Sequence, residues 1–230
     1  MNPASELWAG LSPAELEQVA RVCPERRFRK GNTIFAPGDP PDALYLLISG
    51  LVTLSHLSED GQQSILRVFG PGDVFGELLL TVTARPFLAT ALTDCAVTVI
   101  PGKTFLRLLS AIPRIGLNFI SILSRHLTEI ALDRAESSHK WSLQRLALTL
   151  LKLGAAHGVE KKAGTAIALP LTHQILADMI GTSRETVTRH LGYLKRRGFV
   201  GQQGRTLLIQ PARLKALVSG LSSGRPSRDV

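Results

Sequence analysis

The stretch LTHQILADMIGTSRETVTRHLGYLKRRGFV, residues 171–200, decides the fold of the C-terminal part of this 230-residue chain. It predicts a first helix from about Thr172 to Ile180. That helix ends at Gly181, because glycine readily takes the left-handed conformation that a sharp helix stop requires. Ser183 follows, where its hydroxyl can cap a second helix. A short helix, a glycine turn and a capped helix are typical of a helix-turn-helix.

The second helix has one polar face and one apolar face. At roughly 100° per residue, its polar side chains fall within an arc of about 140°. Arginine matches the O6 and N7 acceptors of guanine, and glutamate accepts from the amino group of cytosine. We therefore predict that this face reads bases in the major groove, with the following side chains: Arg184, Glu185, Thr188 and Arg189.

Two short apolar runs around a glycine turn, within residues 198–209, predict a β wing after the second helix. Basic and hydroxyl side chains around the helix-turn-helix are placed to meet phosphates rather than bases. His173 and His190 are predicted to be surface residues or phosphate contacts. The predicted backbone contacts are Thr172, Ser183, Lys195, Arg196, Arg197 and Arg205. A helical hairpin in a protein-interaction module with an acidic partner remains the alternative.

The charge of the chain agrees with a polyanion partner. Its formal net charge is +9, with a hydrophobic fraction of 44% that indicates a globular protein. Residues 1–110 carry 9 basic and 11 acidic residues, whereas residues 141–230 carry 14 and 4. The positive excess is therefore C-terminal, which indicates a nucleic-acid-binding module joined to a module with another task.

The N-terminal part reads as short strands separated by turns. Apolar residues alternate within runs of about 5 to 8 residues, and Gly or Pro-Gly-Asp turns separate the runs. This pattern predicts an antiparallel sandwich or small barrel, after a short helix over Pro13–Val22. The predicted strands are Thr33–Phe35, Ala43–Ile48, Gly50–Ser55, Ser64–Phe69 and Thr90–Ile100.

From Ile112 to about Ser138 the apolar residues follow a helical period. One line is Ile115, Phe119 and Ile122, which can pack on the sheet. The other line can pair with an identical helix, so a symmetric dimer through this segment is predicted. An ordinary core helix within one chain is the alternative. The dimer line is Gly116, Ile120, Leu123, Leu127 and Ile130.

Several short motifs follow one another in a fixed order along the chain. They are Gly38-Asp39, Tyr45, Gly50, Gly61, Pro71-Gly72-Asp73, Phe75-Gly76-Glu77-Leu78 and Ser183-Arg184-Glu185-Thr186-Val187-Thr188-Arg189. By the order and spacing of these motifs, the chain resembles, over roughly residues 12 to 215, the catabolite activator protein and fumarate-nitrate regulator (Crp/Fnr) family of bacterial transcription factors.

The resemblance implies an α+β architecture in three parts. These are a cyclic-nucleotide-binding-type β-roll over 1–111, a dimerisation helix over 112–138, and a winged helix-turn-helix over 139–230. It also implies a homodimer that binds palindromic double-stranded DNA and contacts RNA polymerase in the bacterial cytoplasm. In relatives that respond to cAMP, the equivalents of Arg184, Glu185 and Arg189 read a half-site resembling TGTGA.

The resemblance also implies an effector pocket in the β-roll. In cAMP-binding relatives an Arg-Ser pair holds the cyclic phosphate, but here Pro86 follows the arginine and supplies neither a hydroxyl nor an N–H. The two hydroxyl residues that read adenine fall at Ile130 and Ala131. cAMP is therefore disfavoured, and another small molecule, or none, is expected. The pocket is predicted to comprise Gly76, Glu77, Leu78, Arg85, Phe87, Ile130 and Ala131.

The sequence gives little support for an iron-sulfur cluster, haem, a catalytic activity or a membrane span. Cys23 stands alone near the N-terminus and Cys95 lies in an apolar run, so an iron-sulfur cluster is excluded. The histidines show no metal-ligand spacing, and only His126, beside the presumed pocket, is a candidate haem ligand. The sequence contains no catalytic motif and no apolar run long enough for a membrane span, so a cytoplasmic non-enzyme is predicted.

Overall fold

The computed structural model describes residues 5–58, 61–137, 142–204 and 206–220. The chain forms two compact units, residues 1–132 and residues 133–230. Each unit has its own sheet structure, and they are described in turn.

The first unit contains two four-stranded antiparallel sheets. One sheet has the strand order β1-β8-β3-β6 and the other has the order β2-β7-β4-β5. The predicted sandwich or roll is thus confirmed. The strands are β1 Glu25–Phe28, β2 Thr33–Phe35, β3 Ala43–Ser49, β4 Val52–Leu57, β5 Gln63–Phe69, β6 Val74–Phe75, β7 Leu88–Ala91 and β8 Cys95–Pro101.

An aromatic cluster packs in the core of the roll. The rings of Tyr45 and Phe75 stack with their centroids 5.2 Å apart, and Phe69 stacks on Phe75 at the same distance. Phe35 lies 5.7 Å from the ring of Tyr45. Because these side chains come from four strands, the cluster ties together elements that are distant in sequence.

The single strand predicted over Thr90–Ile100 is wrong, because the chain forms two strands there. Leu88–Ala91 belongs to one sheet and Cys95–Pro101 belongs to the other. The chain turns between them, and the side-chain hydroxyl of Thr93 accepts the backbone N–H of Leu51 at 3.0 Å. The corner includes the polar pair Thr93 and Asp94, which the predicted strand passed through.

Gly50 makes this corner possible. Its φ is +83°, and a Cβ atom there would lie 2.3 Å from the carbonyl oxygen of Asp94. The position therefore excludes every side chain, both by its backbone conformation and by the close approach of the neighbouring turn.

Three helices accompany the roll: α1 (Pro13–Val22), α2 (Gly102–Ala111) and α3 (Pro113–Ser137). α1 has the predicted bounds, and it starts with a capping box between Ser12 and Glu15. α2 was not predicted. No single described helix is long and apolar enough to cross a membrane, although α2 and the start of α3 pass that test as a pair bent by 115°.

The two apolar lines of α3 have different surroundings. Ile115, Phe119 and Ile122 are buried in the core cluster, as predicted for the line that packs on the roll. The other line is mixed, since Leu123 packs partly on that core and Gly116 is half-buried. The remaining members are 60% to 69% exposed, namely Ile120, Leu127 and Ile130.

The second unit is a winged helix-turn-helix. α5 ends at Gly181, whose φ is +62°, and Thr172 and Ser183 cap the two helices. The predicted helices and wing are thus confirmed, whereas α4, β9, β10 and α7 were not predicted. The sheet has the order β11-β12-β10-β9. The elements are α4 Ser142–His157, β9 Val159–Lys161, β10 Gly164–Ile167, α5 His173–Ile180, α6 Arg184–Arg196, β11 Val200–Gln203, β12 Thr206–Ile209 and α7 Pro211–Gly220.

Candidate nucleic-acid interface and effector pocket

The two faces of α6 differ in burial as its sequence predicts. The apolar side packs into the unit through Val187, Leu191 and Leu194, each at most 2% exposed. The opposite side is exposed to solvent. It carries the four side chains predicted to read bases, Arg184, Glu185, Thr188 and Arg189.

Hydroxyl side chains cap both α5 and α6. Thr172 accepts the N–H of Ile175 at 3.1 Å, and Ser183 accepts the N–H of Thr186 at 3.2 Å. A hydroxyl that accepts a hydrogen bond can still donate its own proton, so Thr172 can cap α5 and donate to a phosphate together. The hydroxyl of Ser183 has further partners within α6, since its Oγ lies 3.1 Å from Oγ1 of Thr186 and it also bonds to the carboxyl of Glu185.

Glu185 lies in the first turn of α6. Hydrogen bonds from its own backbone N–H and from the side chain of Ser183 lower the pKa of its carboxyl. The side chain is therefore a carboxylate at neutral pH, and an acceptor only. Such a group can accept the amino group of cytosine.

Three basic residues lie at the C-terminal end of α6, and all three are exposed. Lys195 donates from Nζ to Oε1 of Gln202 in the wing, at 2.5 Å. The guanidinium of Arg197 lies 5.8 Å from the ring centroid of Tyr193. The third is Arg196, and Arg205, also predicted to contact the backbone, lies outside the described residues.

The prediction that His190 is a surface residue is wrong. It is 5% exposed, and its Nε2 lies 2.8 Å from Oγ of Ser142 at the start of α4. Burial, followed by the positive charge of Arg189, lowers the pKa of His190. Its position between the buried Val187 and Leu191 of the helix already indicates the inner face.

His173 makes a contact that sequence reasoning missed. Its Nδ1 lies 2.7 Å from Oγ1 of Thr188, and that hydroxyl donates to the carbonyl oxygen of Arg184 at 2.9 Å. Burial, followed by the charges of Lys195 and Arg184, lowers the pKa of His173. No sequence pattern connects residues 15 positions apart across a turn.

A small cavity lies at the predicted effector pocket. Its volume is about 20 Å³, which is room for about one water molecule, whereas small-molecule sites usually exceed about 300 Å³. The lining combines five predicted members and Pro86, which the resemblance already places after Arg85, with two residues that were missed, Phe35 and Leu54. The lining residues are Gly76, Glu77, Leu78, Arg85 and Phe87, together with Phe35, Leu54 and Pro86.

Arg85 bonds to the protein itself. It is 4% exposed, and its guanidinium donates to the carbonyl oxygens of Ala43 at 2.5 Å and Gly76 at 3.3 Å. The guanidinium carbon also lies 4.1 Å from the ring centroid of Phe35 and 5.6 Å from that of Tyr45. Its Nε is buried without a hydrogen-bond partner. Burial lowers the pKa of this group, which nevertheless stays charged.

Two predicted members of the pocket, Ile130 and Ala131, do not line this cavity. Both side chains are exposed on α3. In the single chain, the two positions that match the adenine-reading pair of the family therefore do not contact this cavity. His126 is 8% exposed, and the described residues contain no group of three or more His, Cys, Asp or Glu that could hold a metal ion.

Both cysteines are buried free thiols. Burial raises the pKa of Cys23 to about 11, and burial also raises the pKa of Cys95. Because the thiolate is the nucleophile and the metal ligand, neither thiol is in its reactive form at neutral pH.

Comparison with known proteins agrees with these two units. Residues 25–111 match the cyclic nucleotide-binding domain, and residues 144–217 match the Crp-like helix-turn-helix domain. The chain is 33% identical over 211 residues to the cyclic AMP receptor protein of Thermus thermophilus, covering 91% of this chain and 94% of that protein. It is 28% identical over 204 residues to a CRP-like cAMP-activated global transcriptional regulator of Mycobacterium tuberculosis, covering 88% and 91%.

Among solved structures, FixK2 from Bradyrhizobium japonicum superposes with a TM-score of 0.77 at 25% identity, covering 85% of this chain and 97% of that one. The fold and the matches define a transcription regulator with a helix-turn-helix domain and a cyclic-nucleotide-binding-type domain, a class that is not enzymatic. The chain belongs to the Crp/Fnr family.

Proposed function

We propose that this protein is a dimeric regulator that binds palindromic duplex DNA sequence-specifically, with a half-site resembling TGTGA. The observation that best supports this proposal is the exposed face of α6, which includes Arg184, Glu185 and Arg189. The helix is capped at its N-terminus, and its other face is buried. Two guanidinium groups and a carboxylate on one face suit the G·C pairs of such a half-site. The proposal includes the division into a β-roll over 1–111, a dimerisation helix over 112–138 and a winged helix-turn-helix over 139–230.

The exposed apolar line of α3 supports the dimer. Three members of the predicted dimer line, Ile120, Leu127 and Ile130, are 60% to 69% exposed. Leu117 on the same helix was not part of that prediction and is 59% exposed. Covering them with the same helix of a second chain removes that surface from water. In such a dimer the two reading helices enter successive major grooves about 34 Å apart. Contact with RNA polymerase is proposed on the family resemblance.

Control by a small-molecule effector in the β-roll is part of this proposal, with cAMP disfavoured. Arg85 donates to the carbonyl oxygens of Ala43 and Gly76 with two of its five N–H groups, and its Nε has no partner. The remaining donors can therefore meet an effector phosphate without loss of those two bonds. Each such hydrogen bond to a charged group contributes about 1.5 to 3 kcal/mol.

A second candidate, a regulator that binds DNA without an effector, is favoured by the size of the cavity. The cavity that Arg85 lines is about 20 Å³, which is room for about one water molecule. In this case the roll serves as a rigid support for α3.

Competition binding tests the DNA-binding role. We expect the protein to select a palindromic site from random duplexes, and Arg189→Ala to lose about tenfold or more of its affinity for that site. Lys215→Ala, which removes an exposed cation of α7, is the matched control and should bind as the unchanged protein does. No sequence preference after selection would favour the alternative of an acidic protein partner.

The two forms of control are distinguished by a thermal-shift screen with cyclic mononucleotides, cyclic dinucleotides and common metabolites. A ligand at 100 times its Kd stabilises the protein by about 2.7 kcal/mol, which gives a clear shift in Tm. A ligand that shifts Tm and changes DNA affinity supports an effector. Unchanged DNA affinity with every compound supports the effector-free regulator.

A further inference from the structure

Thr188 is exposed, yet its hydroxyl is already engaged within the protein. Oγ1 lies 2.9 Å from the carbonyl oxygen of Arg184 and 2.7 Å from Nδ1 of His173. A hydroxyl has one proton, and a carbonyl oxygen can only accept. The Thr188 proton therefore goes to Arg184, and His173 donates from Nδ1. No proton of this hydroxyl remains for a base.

The methyl group of Thr188 is then the part of the side chain that is free to meet DNA. The residue lies one helical turn after Arg184 and directly before Arg189, so it shares the predicted base-reading face. In the major groove, a methyl group makes apolar contact with the C5 methyl of thymine, which no other base of DNA carries in that place.

His173 fixes which way the methyl points. Threonine in a helix divides between two χ1 rotamers, because its hydroxyl can bond to a carbonyl of the preceding turn. The bond from His173 on α5 favours the rotamer that keeps this hydroxyl inward. Burial, followed by the charges of Lys195 and Arg184, lowers the pKa of His173 and favours a neutral imidazole, whose single proton this bond places on Nδ1.

We propose that Thr188 reads a thymine through its methyl group, and that His173 is the positioning residue that holds it in that orientation. The inference rests on the proposed sequence-specific binding of DNA. It assigns specificity for one T·A pair in each half-site, beside the G·C pairs assigned to the arginines and Glu185.

The test replaces each thymine of the selected site, one at a time, by deoxyuridine, which lacks only the C5 methyl. We expect the unchanged protein to lose about fourfold in affinity at one position of each half-site, the value of one buried methyl group. Thr188→Ser keeps the hydroxyl and both of its hydrogen bonds, so it should fold normally. It should bind the thymine and deoxyuridine sites equally.

The role of His173 is tested by the ratio of the affinity for the thymine site to the affinity for the deoxyuridine site. His173→Asn places an amide N–H close to the position of Nδ1 and should keep the preference for thymine. His173→Ala should lose it without a matching change in Tm. If His173→Ala keeps the full ratio, the positioning role is wrong.

The possible results separate the two proposals. If deoxyuridine at every position leaves the affinity unchanged while binding stays sequence-specific, the methyl contact is wrong and the proposed function is unaffected. Equal thymine preference in Thr188→Ser and the unchanged protein overturns it as well. If the unchanged protein selects no site at all, the proposed function fails and this inference fails with it.

Discussion

Arg85 is held in its buried position by two carbonyl oxygens and two aromatic rings. The guanidinium is flat and carries five N–H donors, so it can bond to Ala43 and Gly76 while its face lies against Phe35. A lysine ammonium has neither the fork nor the flat face. The residue thus stabilises the roll whether or not a ligand binds.

We expect Arg85→Lys to lower the free energy of unfolding by about 1 to 3 kcal/mol, since at least one carbonyl oxygen loses its charged donor. Urea unfolding followed by circular dichroism measures this. Arg21→Lys is the matched control, because Arg21 has a 74% exposed side chain in a surface ion pair with Glu17. Its effect should stay within about 0.5 kcal/mol. Equal effects of the two changes would contradict the structural role of Arg85.

His190 makes the stability of the winged unit depend on pH. Its pKa is lowered in the folded protein, mainly by burial and then by Arg189, whereas the unfolded chain has an ordinary pKa near 6.5. As the pH falls through that value, the unfolded state binds the proton first. The free energy of unfolding therefore decreases as the pH drops below about 6.5.

Urea titrations at several pH values between about 7.5 and 5.5 test this expectation. His190→Gln should reduce the dependence on pH, because glutamine does not titrate in this range. His56→Gln, a change at an exposed strand residue, should leave the dependence as it is. If the free energy of unfolding changes with pH equally in His190→Gln and in the unchanged protein, the pH dependence comes from other groups.

At the level of elements, α3 combines two tasks on opposite sides. Its inner line completes the core of the first unit, and three residues of its outer line, Ile120, Leu127 and Ile130, are exposed in the single chain. A charged residue on the outer line therefore has little effect on the fold of one chain, but it opposes pairing of two copies.

We expect Leu127→Glu to convert the dimer to a monomer in sedimentation equilibrium and to weaken binding of palindromic DNA. The side chain of Leu127 is 69% exposed in the single chain. Leu106→Glu is the matched control, because Leu106 is a 51% exposed leucine on α2, away from the proposed interface. A Leu127→Glu protein that sediments as the unchanged dimer would place the interface elsewhere.

Local signals made some elements predictable and left others hidden. Gly181 and Ser183 mark the ends of α5 and α6 within the sequence itself, and the 100° spacing predicted which side of α6 is exposed. β1 gave no such signal, since Glu25–Phe28 is polar and has no alternation, and it becomes a strand by pairing with β8. Likewise, the contacts of Arg85 and His173 join residues distant in sequence.

At the scale of the whole molecule, charge is divided between the two units. The segment 141–230 carries the positive excess, and the segment 1–110 is slightly acidic. Cations that meet phosphates release condensed counterions from DNA. The helix-turn-helix end should thus determine both the affinity for DNA and its dependence on salt.

We expect the logarithm of the binding constant to fall linearly with the logarithm of salt concentration between about 50 and 200 mM. Lys195→Ala should weaken binding to all sequences alike and reduce the slope by about 1 for each protomer. Fluorescence anisotropy with a labelled duplex measures both quantities. Lys103→Ala, at an exposed position of α2, is the control and should leave the slope against salt unchanged. If Lys195→Ala also leaves the slope unchanged, Lys195 does not contact the DNA backbone.

The pairing of β1 with β8 also has a consequence for the time course of folding. Glu25 lies opposite Thr98, so the first sheet cannot close until nearly 100 residues of the chain are available. In the winged unit, α6 follows α5 in the chain and packs against it, and β11 pairs with β12, the next strand. That unit is nevertheless closed by a distant contact, since Nε2 of Gln144 in α4 donates to the carbonyl oxygen of Val218 in α7, 74 positions away. Because folding slows as contacts become more distant in sequence, the helix-turn-helix and the wing should form early, and each unit should complete its fold only when nearly all of its own residues are available.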